Sequence, residues 1–120
     1  MTYHELCAYL LRHPGTIKEV PIGMDIQAFK VHDRIFALLA WQKDPMELTL
    51  KCKAAKSSRY ANRYSSILPG TSNNQIQWIT VLIDGSIPLT ILLDIIDESY
   101  ELVLKTLKKS IRDKLQLEMV

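Results

Sequence analysis

The chain is poor in the devices that hold very small or secreted domains together. Only two cysteines occur, Cys7 and Cys52, and no C-x-x-C pair. That excludes a framework of bridges and the usual zinc spacing, so free thiols in a reducing compartment are expected. Long hydrophobic runs are missing too. The N-terminal MTYHELCAYLLRHPG interleaves His4, Glu5 and Arg12 with its apolar residues, which is neither a membrane span nor a signal peptide. A cytoplasmic protein without membrane contact is the expectation. There is no glycine-rich phosphate loop, nucleophile elbow or pair of carboxylates at a strand end, and His4, His13 and His32 have no i,i+4 or carboxylate-flanked spacing. These absences argue against an enzyme, and no metal, other cofactor or small-molecule substrate is expected.

A further scarcity is local. No acidic residue lies between Glu47 and Asp84, while Lys51, Lys53, Lys56, Arg59 and Arg63 all do. The sign then reverses, because Asp84, Asp94, Asp97, Glu98 and Glu101 precede the next base, and Lys105, Lys108, Lys109, Arg112 and Lys114 follow. The net charge of +2 hides this blocking. Two readings fit it: an acidic helix neutralising a basic one inside the fold, or a basic interval facing a polyanion.

What is present suffices for one domain over residues 1–120, with apolar content for a core that needs neither bridges nor metal. Thr2 with Glu5 three residues on has capping-box spacing, and Leu6, Tyr9 and Leu10 recur at helical period until HPG, which predicts a helix over 3–13. A short strand over 17–20 precedes Pro21. IQAFKV and RIFALLAW flank His32-Asp33, a two-residue turn, and read as a hairpin. MELTLKC alternates, with Met46, Leu48, Leu50 and Cys52 on a dry side and Glu47, Thr49 and Lys51 on a wet one. KAAKSSRYANRY predicts a helix with a basic face made by Lys56, Arg59, Tyr60 and Arg63. SSILPGTSNNQ reads as a loop and QWITVLI as a strand. After Pro88, residues Leu89, Leu92, Ile96, Tyr100, Val103 and Leu107 trace one face of a long helix. Its acids fall early and its lysines late, as the helix dipole favours. The tail either continues that helix or forms a second, with Ile111 and Leu115 inward.

The elements assemble into an α+β two-layer sandwich, a curved antiparallel sheet with helices on one face and the other face at least partly open. If Leu48 and Leu50 point to the helices, so do Phe29, Val31, Val81 and Ile83. Lys30, Thr49, Lys51, Trp78 and Thr80 then share the open side. The general tendency of tryptophan to be buried works against that placement. Core packing is therefore preferred for Trp78, and solvent exposure for Tyr60. Cys52 sits between two lysines, but alternation turns it inward, away from nucleophilic use.

The ordered series VPIG, AFKV, FALL, LKC, LPG, W with TV, DGSIP, ESYELV and KKSIR resembles the MmcQ/YjbR family of small bacterial proteins across nearly the whole chain. The resemblance implies a fold similar to the secretion-chaperone-like group and, from the family's proposed pair of β-hairpin wings, DNA binding. The chain departs from the family where Asn-Lys-x-His before the tryptophan becomes Asn74, Gln75, Ile76 and Gln77. The segment after Cys52 is correspondingly more basic, as if positive charge had moved from loop to helix. Lys108 stands where a proline is common, which leaves the long helix free to run on.

The nucleic-acid-binding candidates are thus Lys51, Lys53, Lys56, Arg59 and Arg63 for phosphates, with Asn74, Gln75, Gln77 and Trp78 in and beside a wing over residues 71 to 77. The alternative is a protein-interaction or chaperone-like module. It would act through the open sheet face or a homodimer interface around Trp41, Trp78 and the hairpin.

Overall fold

The computed structural model describes residues 1–21, 25–70 and 74–117. Over these residues the chain forms α1 (Tyr3–Arg12), β1 (Thr16–Glu19), β2 (Gln27–Val31), β3 (Arg34–Ala40), β4 (Met46–Lys53), α2 (Ala54–Arg63), β5 (Ile67–Leu68), β6 (Ile76–Ile83), α3 (Leu89–Leu104) and α4 (Lys109–Leu117). The strands make one curved antiparallel sheet in the order β1-β2-β3-β4-β6-β5. Among the described residues no helix is long and apolar enough to cross a membrane.

Local chemistry sets the boundaries. The Thr2 hydroxyl accepts from the Glu5 amide at 3.2 Å and the Glu5 carboxylate accepts from the Thr2 amide at 2.9 Å, the reciprocal cap that starts α1. His32 takes φ of 59° in the two-residue turn that closes Val31 onto Arg34, so the hairpin forms as its sequence predicts. β4 keeps strict alternation, and its register with β6 sets Leu48 opposite Val81 and Leu50 opposite Ile79 on the helix side. The core joins these residues to Leu6 and Leu10 of α1 and to Leu92, Ile95, Ile96, Tyr100 and Val103 of α3.

The strand β3 departs from simple alternation. Phe29 pairs with Ala37 and Lys30 with Ile35, leaving Phe36 as an extra residue in a β-bulge. Phe36 and its neighbour Ala37 are both fully buried, and the Phe36 ring meets Tyr100 edge-on at 5.4 Å. The bulge also ends the β3–β4 ladder, whose last pair is Ala37 with Leu50. Ser99 of α3 takes over there. Its hydroxyl donates to the Phe36 carbonyl at 2.6 Å and accepts from the Lys51 amide at 2.8 Å, joining the two strands where a direct bond would otherwise run.

A second latch ties α1 to α3. The Asp97 carboxylate accepts from the Tyr9 hydroxyl at 2.7 Å and lies 2.8 Å from His13 Nε2. The Tyr100 hydroxyl donates to the Pro14 carbonyl at 2.6 Å.

Of the two alternatives for the C-terminal third, the second holds: the long helix does not run on through Lys108, and a separate α4 follows. The long helix ends at Leu104, where the Thr106 hydroxyl donates to the Val103 carbonyl and i→i−3 bonds tighten the chain, turning Leu107 into the core before α4 begins. α4 then seats Leu115 on Gly15, where a Cβ would come within 2.5 Å of the leucine. The dipole argument fails, because α3 has no acid in its first turn and no base in its last. Asp94 and the acids after it stand beyond the first turn, and only Lys105, at the C-cap, is placed as the dipole favours.

Two measurements check this account. Ser99→Ala leaves the Lys51 amide and the Phe36 carbonyl buried without their partner, and a loss of about 2–4 kcal/mol in urea unfolding is expected. Burial, then the bond to Asp97 and its charge, push the Tyr9 phenol up from 10.0 to about 12. A raised folded value means that this stability is fully present below about pH 10 and is lost as pH rises toward 12. Because Tyr60 is also raised, Tyr9→Phe should shrink that alkaline decline without abolishing it.

Candidate functional site

The eight-pair ladder between β4 and β6 runs from Met46–Ile83 to Lys53–Ile76. The β3–β4 ladder stops at Leu50 and Ser99 bonds the Lys51 amide there, so among the described residues the outer end of β4 pairs with β6 alone, as a two-stranded ribbon. Side-chain alternation places Lys51, Lys53, Ile76 and Trp78 together on the uncovered face of that ribbon. Lys51 lies directly across from Trp78, with Nζ 5.2 Å from the ring centroid.

Trp78 is 41% exposed, which corrects the preference for core packing. Its strand neighbours Gln77 and Ile79 take the inward positions, so period-two alternation overrides the general tendency of tryptophan to be buried. Close behind runs the chain at Gly70, where a Cβ would fall 2.7 Å from Gln77 Cβ and 2.8 Å from the Trp78 carbonyl. Glycine is what lets this segment approach β6.

α2 starts immediately after Lys53 without a side-chain cap. Its first amide, Ala54, donates instead to the Gln75 carbonyl at 2.7 Å, which fastens the start of β6 to the helix. The inner side of α2 buries Ser57 and packs Tyr60 and Tyr64 against the core. Tyr60 is thus half-buried, a correction to its expected exposure, and burial raises its phenol.

The three cations of α2 differ in their surroundings. Lys56 reaches across to α3 and bonds the Glu98 carboxylate at 2.6 Å, and that bond raises its pKa. Arg59 and Arg63, one turn apart and exposed, have no ion pair among the described residues. The Arg63 guanidinium lies 5.5 Å from the Tyr64 ring centroid. With Lys56, the tyrosines and Ile91 they line a groove of about 230 Å³.

The nine candidate residues therefore do not form one continuous surface. Lys51, Lys53 and Trp78 share the uncovered sheet face. Arg59 and Arg63 project from α2, which packs on the helix side, and Lys56 is held by Glu98. Asn74 and Gln75 are exposed beside the N-terminus of α2, whereas Gln77 pairs in register with Cys52 and faces away from Trp78. Of the expected wing, residues 71–73 lie outside the described residues. Lys53 connects the two groups, as the last residue of β4 and the one before α2.

Cys52 is buried, and its thiol is pushed up to about 11 by that burial and by the Glu98 carboxylate. The adjacent lysines do not activate it. Sequence reasoning missed Ser99, which positions the projecting ribbon. The signal was present, since a serine occupies the inward stripe between Ile96 and Val103.

Comparison with known proteins adds four findings. The family model YjbR matches residues 11–102. The uncharacterized protein YjbR of Escherichia coli (strain K12) is 28% identical over 101 residues, covering 84% of this chain and 86% of that protein. The uncharacterized protein YbdF of Escherichia coli O157:H7 is 33% identical over 89 residues, covering 74% and 73% respectively. Among solved structures, the crystal structure of Deinococcus radiodurans protein DR2400, family-model domain DUF419, superposes with a TM-score of 0.84. It is 29% identical, and the match spans 96% of this chain and 88% of that one.

The thiol environment gives a direct check. Because thiolate is the reactive form, Cys52 should resist a disulfide reagent at pH 8 in the native protein and react fully after denaturation. Rapid native labelling at Cys52, mapped by peptide mass, would contradict the buried placement.

Proposed function

Because this chain belongs to the YjbR family and carries two unneutralised arginines one turn apart on α2, we propose that it is a DNA-binding protein that acts without catalysis. The observation that carries the reading is that, among the described residues, no carboxylate pairs with Arg59 or Arg63 in a chain whose α3 is rich in carboxylates. Their Cα atoms are separated by about 6 Å along the helix axis, so the two guanidiniums can engage phosphates of one backbone. Lys53 and Lys51 extend the positive charge past the start of α2. Asn74 and Gln75 stand beside it as the amide side chains able to reach a base edge. Glu98 restrains Lys56 and lowers the effective contact number.

A second reading has its own support. The uncovered face exposes Ile17, Leu68 and Ile76 as well as Trp78, which suits a protein partner or a second copy of the chain. Such binding would be indifferent to salt.

Binding through about four cations gives a log–log salt slope near −3.6, or about a hundredfold loss of affinity for mixed-sequence duplex between 50 and 200 mM salt. Arg59→Glu with Arg63→Glu should abolish that binding, while Lys109→Glu with Lys114→Glu on α4 should change it much less. Fluorescence anisotropy at two salt concentrations measures both. Unchanged affinity in the α2 variant would overturn the reading.

A further inference from the structure

We infer that Trp78, flanked by Lys51 and Lys53 on the uncovered sheet face, is a stacking platform for an unpaired base, so that the preferred ligand is single-stranded nucleic acid. The inference rests on the nucleic-acid reading above and names the form of nucleic acid that the site takes.

The first ground is the rigidity of the indole's position. Trp78 belongs to a strand paired along its length with β4, and Gly70 lies close against its carbonyl. An exposed aromatic on such a backbone presents an aromatic face without first having to be ordered, and base stacking on it tolerates any sequence.

The second ground is the placement of charge. Lys51 Nζ lies over the indole, 5.2 Å from the ring centroid; when a base takes that face, the flexible lysine swings aside and its ammonium meets the phosphate of the same nucleotide. Lys53 follows two residues on, on the same face. Exposed Ile76 and the half-buried Thr49 and Thr80 border the platform and offer a low surface for the sugar and base edges. Lysines are depleted from the cores of protein–protein interfaces, so two of them beside the tryptophan favour nucleic acid over a protein partner at this end of the face.

The third ground excludes the duplex here. In a duplex the base faces are stacked on one another, and only base edges are offered in the grooves. A strand that also reaches Arg59 and Arg63 must turn over the corner at Lys53, from the uncovered face to the side where α2 packs. Duplex DNA, with a persistence length of about 150 bp, resists that turn. A single strand does not.

The test uses the full chain with Trp41→Phe, so that Trp78 is the sole tryptophan. It is titrated at low salt with a short oligothymidylate and with a duplex of equal length, following intrinsic emission and anisotropy. The oligothymidylate should quench Trp78. Trp78→Ala should weaken single-strand binding about tenfold and duplex binding far less, and Trp78→Phe should recover most of the loss. The Phe variant retains a ring at the site, so it also serves if the Ala variant folds poorly.

Single-strand binding without quenching, and unchanged in both variants, would overturn the platform. The α2 reading would survive if Arg59→Glu with Arg63→Glu still abolished binding. Duplex binding with no single-strand binding would likewise overturn only this inference. Binding of neither form would overturn both. A concentration-dependent blue shift of Trp78 without nucleic acid would reassign the face to contact between copies of the chain.

Discussion

The hydroxyl of Ser99 holds the arrangement on which the surface depends. The bulge at Phe36 lets two successive residues of β3 enter the core, which strengthens packing beneath α1 and α3 but ends the ladder between β3 and β4. A bulge normally leaves backbone groups to find other partners. Here the Phe36 carbonyl and the Lys51 amide find the same side chain, 2.6 and 2.8 Å away, on the helix that covers the sheet. The gap is thereby closed by that hydroxyl, and among the described residues β4 continues for three residues paired with β6 alone. Lys51, Lys53, Ile76 and Trp78 all lie on that continuation. Core packing and the exposed face are thus two consequences of one irregularity.

Electrostatics then divides the surface. The blocking of charge along the chain admits neutralisation within the fold or presentation to a polyanion, and the structure contains the geometry for both. Lys56 and Glu98 form an ion pair between α2 and α3, and both side chains remain about one-third exposed. An exposed pair of this kind contributes little stability, about 0–1 kcal/mol, but it fixes the inner edge of α2. Arg59 and Arg63 lie farther along the helix, and the carboxylates of α3 do not pair with them. Neutralisation therefore acts on one cation of α2 and spares two.

Much of the fold was legible because period two leaves little freedom. MELTLKC and QWITVLI each have one dry side, and matching those sides sets both the register and the face of every residue between them. That argument placed Trp78 correctly, and the statistical tendency of tryptophan pointed the other way. The local constraint prevailed because burying Trp78 would expose Gln77 and Ile79 in exchange. Tyr60 illustrates the converse. With only alanines and a serine on the inner side of α2, a tyrosine ring was the bulk available to fill the space over the sheet, a packing requirement invisible in a helix read alone. The bulge was hidden because RIFALLA is apolar nearly throughout, so no alternation existed for it to break. The break after Leu104 was hidden for a similar reason, since hydrophobic spacing continues through Leu107 and Ile111 although the backbone does not. As for the division of the nine candidates, their spacing along the chain carried no information on which side of the sheet α2 would pack.

The edges of the sheet narrow the ways in which this surface can recognise anything. An edge strand with free backbone groups invites pairing with another chain. β1 is four residues long, bears exposed Lys18 and Glu19, and is followed closely by Pro21. β5 has two residues and is closed by Pro69. Short length, charge and proline are the features that discourage strand addition, so main-chain recognition is disfavoured at both sides. Recognition falls to side chains on the uncovered face and on α2. That face is mixed, with isoleucines, threonines and lysines around one indole, and its apolar members are spread over β1, β5 and β6. A dispersed set of this kind gives little cooperative burial to a flat protein partner. A flexible ligand can use it stepwise, with one stacked base and successive phosphates, because each contact is made without requiring the others.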